Sequence, residues 1–247
     1  MTPESIWPGR RIVCVETCES TNDLAWRAAF EGAPHGTAIF ADEQTRGRGR
    51  QGRTWTAPRA SGILCSILLR TELDADHSPL VTVVGALAVT EVTRRFGVPT
   101  RIRFPNDVYV GGRKLAGVLV EARFISSRPD LFILGIGLNV NGRPMGLPAT
   151  SLAEEAGHEL SRPAVARALL EGVDEWGARL DGPVDPFQEA WSSRSELLDR
   201  SVRVWENGKS TTGTVSAIHC LEGIELRLHT GHVRFYRSEH VERLEMV

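Results

Sequence analysis

The segment Arg46–Trp55, which reads RGRGRQGRTW, carries the residue types best suited to chemistry in this 247-residue chain. Its glycines let the backbone approach a ligand closely, and backbone N–H groups in such loops form anion-binding concavities. Arg48, Arg50 and Arg53 add guanidinium groups that suit phosphate or carboxylate. Nothing apolar anchors the segment, which therefore predicts a mobile loop that orders around an anionic ligand. A solvated basic loop or a nucleic-acid-binding tail is the alternative.

A second motif, Arg103–Asp107, reads RFPND. Its proline holds the preceding residue extended, so that Asn106 and Asp107 project from the end of a strand. An asparagine amide can bond a base or ribose, and an aspartate can accept from a hydroxyl or engage phosphate-bound Mg²⁺. An ordinary turn has the same composition.

Two further motifs place glycines beside strands. Lys114 lies just inside a predicted strand, where it could meet a substrate carboxylate, because lysine is rarely buried without a partner. It could equally sit in water at a hairpin tip. Gly135 and Gly137 interrupt an apolar strand, which indicates close approach by a ligand or tight packing on a helix.

No motif pairs a protein nucleophile with a base. The chain contains no G-x-S-x-G elbow, P-loop or dinucleotide fingerprint, and its histidines are scattered. An anion-rich site without a nucleophile favours chemistry in which the substrates react with each other while the protein neutralises charge.

The hydrophobic pattern predicts an α+β fold that would position these motifs. Ser20 or Thr21 is expected to cap the first helix, and Gly97 to end a central one. The segment 44–53 is expected to be neither helix nor strand. The predicted elements are strands over 11–15, 37–40, 63–69, 101–104, 108–110, 115–121 and 131–139, and helices from 20–22 and over 79–96, 163–180 and 186–198. Strict alternation after Asp199 predicts a small five-stranded barrel, which divides the chain into domains 1–198 and 199–247.

The composition is ordinary for a soluble globular protein, with 41% hydrophobic and 24% charged residues and a formal net charge of −2. That charge gives no global attraction to nucleic acid or membrane. No apolar run approaches the roughly 20 residues that cross a bilayer, and residues 1–11 lack a signal pattern. Four cysteines without a C-x-x-C pair indicate free thiols in a reducing compartment. We therefore expect a cytoplasmic protein.

Taken in order, the motifs resemble the biotin protein ligase family, from about Cys14 to the C-terminus. The matching segments are Ser20–Asn22, Gln44 with Gly47–Trp55, Pro105–Asp107, Arg113–Gly117 and Gly135–Asn139. The resemblance implies a mixed-sheet catalytic domain followed by a small SH3-like barrel. It also implies that biotin and ATP form biotinyl-5′-AMP and pyrophosphate, and that a lysine of a carboxylase's biotin carboxyl carrier domain then takes the biotin and releases AMP. Mg²⁺ would accompany ATP, with ligands that stay unassigned.

The resemblance also implies the site residues. The catalytic group is Lys114, Arg50 and Arg48. The biotin-binding group is Ser20, Thr21, Asn22, Gln44, Arg48, Gly49, Arg50, Lys114 and Gly117. The ATP-binding group is Arg50, Arg53, Arg103, Asn106, Asp107 and Asn139. Trp55 is interpreted as a packing residue behind the loop and is left out of the site.

Two departures from the family pattern bear on function. Arg103-Phe104 stands where the family usually has Lys-Trp, which puts the rate of adenylation in question. The short lead before the catalytic domain leaves no room for a helix-turn-helix, so we expect no DNA binding. The sequence leaves the oligomeric state open between a monomer and a homodimer. Three other hypotheses stay open: a lipoate ligase or octanoyltransferase, a non-catalytic store of biotin or its adenylate, and an RNA-binding protein.

Overall fold

The computed structural model describes residues 1–7 and 10–247, with only the backbone described for Ser5. Six helices are present in this part of the chain: α1 Pro3–Ile6, α2 Thr21–Phe30, α3 Leu80–Arg95, α4 Leu152–Ala156, α5 Arg162–Gly177 and α6 Asp185–Arg194. The strands are β1 Ile12–Cys18, β2 Ala38–Gln44, β3 Gly62–Leu69, β4 Arg101–Arg103, β5 Asp107–Val110, β6 Arg113–Ile125, β7 Arg128–Asn139, β8 Ser201–Glu206, β9 Lys209–His219, β10 Gly223–Arg227, β11 Val233–Arg237 and β12 Arg243–Met246. No helix in the described part is long and apolar enough to cross a membrane.

A seven-stranded mixed sheet with the order β1-β2-β3-β7-β6-β5-β4 is the frame of the larger part of the molecule. Strands β1 and β2 are parallel, and the other neighbours are antiparallel. Every residue of β3 is buried. This confirms the buried strand predicted at 63–69, since a strand covered on both faces reads as a continuous apolar run.

Helices cover both faces of this sheet. Helix α3 is buried along most of its length and packs against α5. Gly85 allows α3 to approach the sheet closely, because a Cβ there would lie 2.8 Å from atoms of Leu134 and Val118. Helix α2 covers the opposite face with its alanines, Ala25 and Ala29 among them. Its N-terminus therefore stands directly over β3 and β7.

A five-stranded antiparallel sheet, ordered β11-β10-β9-β8-β12, follows in the chain. Alternate residues point into its core, among them Val202 and Val204 of β8 and Ile224 and Leu226 of β10. The strict alternation of the tail predicted this half-buried sheet, and the structure confirms it.

Several element bounds differ from the predictions. Strand β2 continues to Gln44, and residues 50–52 form one 3-10 turn, so the expectation of neither helix nor strand at 44–53 was wrong at both places. Strand β6 continues to Ile125, beyond the predicted end. Helices α5 and α6 end at Gly177 and Arg194, earlier than predicted. Helix α4 was missed because one turn is too short to show helical periodicity.

Candidate active site

A cavity opens where the N-terminus of α2, the ends of β2 and β5, the middle of β6 and β7 and the loop after β2 meet. It is lined by Ser20, Thr21, Asn22, Gln44, Arg48, Gly49, Arg50, Arg53, Thr54, Trp55, Cys65, Asn106, Asp107, Lys114, Gly117, Val118, Leu119, Gly135, Ile136 and Gly137. The structure thus brings together every site residue predicted from the sequence except Arg103 and Asn139.

The inner end of the cavity is a polar network between α2, β2 and β3. Thr21 donates to Gln44 Oε1 through its backbone N at 2.7 Å and its hydroxyl at 2.9 Å. The buried Ser66 hydroxyl lies 2.7 Å from Thr21 Oγ1 and 2.6 Å from Asn22 Oδ1. Each hydroxyl carries one proton, so two protons serve three contacts. The buried Asn22 Nδ2 has no hydrogen-bond partner among the described residues, so a ligand with an acceptor oxygen would supply the bond that the network lacks.

Ser20 lines this end. The sequence predicted that Ser20 or Thr21 would cap α2, but the Ser20 side chain does not cap it. Its backbone is extended at the N-cap position, and its side chain makes no capping hydrogen bond. It is buried against the cavity. Ser20 therefore lines the site beside the positive end of the helix dipole.

The middle of the cavity holds an ion pair between neighbouring strands. Lys114 Nζ of β6 lies 2.7 Å from Asp107 Oδ2 of β5, and both side chains are mostly buried. Gly117 faces Asp107 across the same strand pair. A Cβ at Gly117 would lie 3.2 Å from Asp107 Oδ1 and 3.3 Å from Lys114 Cε. Glycine at this position therefore keeps room for the pair.

Trp55 forms part of the cavity wall, contrary to its interpretation as a residue behind the loop. Its indole lies against Gly137 so closely that a Cβ there would overlap the ring. The Lys114 Nζ is 5.5 Å from the ring centroid. The indole Nε1 is buried and has no hydrogen-bond partner. Gly137 thus makes room for the Trp55 ring. The sequence could have suggested this role if Trp55 had been interpreted as part of the loop.

The loop that contains the 3-10 turn is held by hydrogen bonds on both sides. Arg48 bonds Asp23 through both guanidinium N–H groups, at 2.9 and 2.7 Å. Three side chains on the other side donate to backbone carbonyls of the segment between β11 and β12: Arg50 to Ser238, Gln51 to Val241 and Arg53 to Glu242. The loop has no apolar anchor, as the sequence indicated, and these polar contacts hold it instead.

The electrostatics of the loop follow from these contacts. The hydrogen bonds from Arg48 hold the pKa of the Asp23 carboxyl below its usual range. Burial lowers the pKa of the Arg50 guanidinium, because a desolvated cation is disfavoured. An anion in the cavity would therefore favour the charged form of Arg50.

Asn106 and Asn139 differ in position. Asn106 lines the cavity, and its Nδ2 donates to the Val118 carbonyl at 2.6 Å. Asn139 lies behind the cavity wall, where Nδ2 donates to the Thr150 carbonyl at 2.9 Å and Oδ1 has no partner. Asn139 is thus not exposed to the cavity, where the predicted contact with ATP would form.

Arg103 is directed away from the cavity. Its guanidinium stacks on Tyr109 with 3.7 Å to the ring centroid, and its Nε pairs with the Glu196 carboxylate. Both partners are outside the cavity lining. Arg103 therefore links β4 to the segment after α6. The sequence motif did not predict this contact with Glu196.

The cavity contains no activated protein nucleophile. Cys65 lines it, but burial raises the pKa of its thiol far above neutrality, which keeps it protonated. Within residues 1–7 and 10–247, no group of His, Cys, Asp and Glu side chains is arranged to hold a metal ion. The site offers cations and hydrogen bonds to reacting ligands, as the sequence indicated.

Comparisons with known proteins agree with this geometry. The model of the biotin/lipoate A/B protein ligase family matches residues 14–139. A biotin–[acetyl-CoA-carboxylase] ligase of Paracoccus denitrificans is 30% identical over 218 residues, which cover 84% of this chain and 88% of that protein. The bifunctional ligase/repressor BirA of Bacillus subtilis is 34% identical over 169 residues, 66% of this chain and 52% of that protein.

The fold is similar to solved structures along almost its whole length. A biotin protein ligase from Aquifex aeolicus, solved in complex with biotin and ATP, has a TM-score of 0.81 at 27% identity, with 96% of this chain and 99% of that chain covered. The chain spans about half the length of the first curated relatives that it matches. The family model nevertheless covers just over half of this sequence, and the chain belongs to the biotin/lipoate A/B protein ligase family.

Proposed function

We propose that this protein is a biotin protein ligase, which activates biotin with ATP and transfers it to a lysine of a biotin carboxyl carrier domain. The observation that carries this proposal is the Lys114–Asp107 pair beside the polar network of Thr21, Asn22 and Gln44 in one cavity. The relatives support the choice of biotin, since the Paracoccus and Aquifex proteins are named as biotin ligases.

The polar network suits the ureido ring of biotin. A ureido group offers two N–H donors and one carbonyl acceptor. In the inner network Asn22 Nδ2 is a buried donor without a partner among the described residues, and Gln44 Oε1 already accepts twice. Ser20 supplies a further hydroxyl at the same end. The ureido carbonyl would accept from Asn22 Nδ2, whereas the dithiolane ring of lipoate has no oxygen to accept that bond.

Lys114 stands where the carboxylate end of the ligand would lie. In the first step, a carboxylate oxygen attacks the α-phosphorus of ATP, and pyrophosphate leaves. Lys114 would exchange Asp107 for this developing negative charge, together with Arg50. In the second step, the acceptor amine attacks the acyl carbon of the mixed anhydride, and AMP leaves. Rate enhancement then comes from positioning and charge neutralisation.

We propose ATP as the cosubstrate and Mg²⁺ as its companion ion. Among the lining residues described, Asp107 is the one carboxylate, and Mg²⁺ is commonly bound through one or two carboxylates together with substrate phosphates. The residues therefore fit an ion that arrives with the nucleotide, which would shield phosphate charge. Asn106, at the cavity wall, is placed to bond the nucleotide, as is Arg53.

Other parts of the proposal concern partners and organisation. We infer a catalytic domain over 1–198, an SH3-like barrel over 199–247, a monomer or homodimer and no nucleic-acid partner. The net charge of −2 argues against general attraction to nucleic acid. The four free thiols favour the cytoplasm.

The decisive experiment is biotin-dependent exchange of pyrophosphate into ATP on the purified protein, with lipoate and octanoate as controls. Exchange with biotin alone supports the proposal. Exchange with lipoate or octanoate instead would make the protein a lipoate ligase or its relative. Tight biotin binding without exchange would indicate a non-catalytic store. Transfer is then measured as biotin incorporated into a purified carrier domain.

A further inference from the structure

Arg48 differs from the other loop arginines in its partners. Arg50 and Arg53 donate to backbone carbonyls, whereas Arg48 is held by two carboxylates from two different elements. Asp23 of α2 receives a bidentate pair of hydrogen bonds, and Glu121 Oε1 of β6 lies 3.1 Å from the same guanidinium. Bidentate charge-assisted bonds fix orientation as well as adding energy.

Glu121 is itself fixed by a third residue. Its second oxygen, Oε2, accepts a hydrogen bond from the indole Nε1 of Trp26 at 2.7 Å. The Trp26 ring stacks on Phe30, with centroids 5.9 Å apart. The carboxylate therefore uses one oxygen for the indole and the other for Arg48, and its rotamer is held from both ends.

The charges of this group limit what Arg48 can do for a substrate. Two carboxylates and one guanidinium carry a net charge of about −1 at neutral pH. An anionic ligand that recruited Arg48 would have to displace Asp23 and approach Glu121. Among the described residues, Lys114 has one carboxylate partner and Arg50 donates to a backbone carbonyl, so those two are the cations better placed to meet an anion.

We propose that Asp23 and Glu121 are positioning residues that clasp Arg48, and that this clasp holds the first half of the loop closed over the cavity. Asp23 follows directly after Ser20–Asn22, which line the cavity. Arg48 is also bridged in an antiparallel manner to Thr54 at the far end of the loop. Fixing one guanidinium therefore fixes both ends of the loop above the site. The consequence for adenylate retention rests on the proposed function.

The clasp is tested first without any ligand, by limited trypsin digestion of the full chain. The loop offers cleavage sites after Arg46, Arg48, Arg50 and Arg53. Loss of one charge-assisted partner in Asp23→Asn or Glu121→Gln should speed cleavage within the loop by about 5-fold. Trp26→Phe keeps the stacked ring but removes the N–H group, and should reproduce part of the Glu121→Gln effect.

The controls separate the clasp from general loss of charge or structure. Glu19 pairs with Arg46 in the same loop through a single contact at 3.1 Å, with side chains 65% and 76% exposed, and single exposed pairs contribute little. The pair of Arg48 with Asp23 is bidentate and less exposed, at 39% and 46%. Glu19→Gln should leave loop cleavage unchanged. Asp23→Glu, which keeps the carboxylate, should stay close to wild type. Loop cleavage of Asp23→Asn and Glu121→Gln at the wild-type rate would overturn the proposal.

The second measurement follows the release of biotinyl-5′-AMP from the protein after rapid dilution. Asp23→Asn should raise the release rate by about 5-fold while changing the KM for ATP less than twofold. An unchanged release rate with faster loop cleavage would overturn the role in retention. If the wild-type protein shows no exchange at all, the proposed function fails, and the digestion result still decides whether the clasp exists.

Discussion

Lys114 and Asp107 form a 2.7 Å ion pair across neighbouring strands at the centre of the cavity. Both residues line the cavity, so the pair brings a cation and an anion to the same wall. A substrate carboxylate or phosphate must therefore compete with Asp107 for Lys114. Asp107 thus gives Lys114 an ionic partner in a partly buried site.

Replacing Lys114 with alanine should lower biotin-dependent pyrophosphate exchange by at least about 100-fold, because its interaction with charge in the transition state is lost. The chain has one other lysine, Lys209, at the start of β9, and Lys209→Ala is the matched control. Exchange assays and thermal unfolding of both variants provide the test. Full activity of Lys114→Ala would refute the assigned role.

Adding a methyl group at Gly137 should displace the Trp55 ring, since the two cannot occupy the same space. We expect Gly137→Ala to destabilise the fold by about 1–3 kcal/mol through overpacking and to weaken biotin binding. Trp55→Ala in the same chain should recover part of the stability, which a double-mutant cycle measures. Gly177, which has open space around it, gives the control Gly177→Ala. If the effects of Gly137→Ala and Trp55→Ala on the free energy of unfolding are additive, the result contradicts this packing.

Removing the Ser66 hydroxyl tests the polar network. Ser66→Ala takes a donor from Thr21 and Asn22, and should cost about 1 kcal/mol of stability. We expect the KM for biotin to rise about 10-fold, corresponding to about 1.4 kcal/mol of binding, with kcat nearly unchanged. Ser193→Ala, which removes an exposed hydroxyl, is the comparison. A large fall in kcat with constant KM would place the network in the chemical step instead.

The Asp23 carboxyl gives a pH dependence with a defined sign. Hydrogen bonds from Arg48 lower its pKa in the folded state. Its contribution to stability is therefore present above the ordinary carboxyl pKa and is lost as the pH falls through the lowered folded value. The difference in melting temperature between wild type and Asp23→Asn should be constant above about pH 5 and shrink in more acidic solution. A difference that persists at the lowest pH would exclude this assignment.

Much of the fold was readable from the sequence for physical reasons. The continuous apolar run of β3 indicates a strand that is buried on both faces. The strict alternation of β8 and β10 indicates strands that are buried on one face. Gly111 and Gly112 adopt the left-handed conformation in the turn between β5 and β6, as paired glycines commonly do in hairpins. Short α4 could not be predicted, because its one turn carries no period and its cap, Ser151, resembles any loop serine.

The sequence by itself determined the candidate residue types for a ligand site: glycines and arginines in one loop, a lysine beside a turn, and hydroxyls at a helix start. The tertiary structure decided which of these share a cavity, because that depends on strand order and register between distant segments. It brought Trp55 into the site over Gly137 and turned Arg103 toward Glu196, 93 residues away in the chain. It also gave Arg48 its two carboxylates, a contact that local spacing could not encode, since Glu121 lies 73 residues from Arg48.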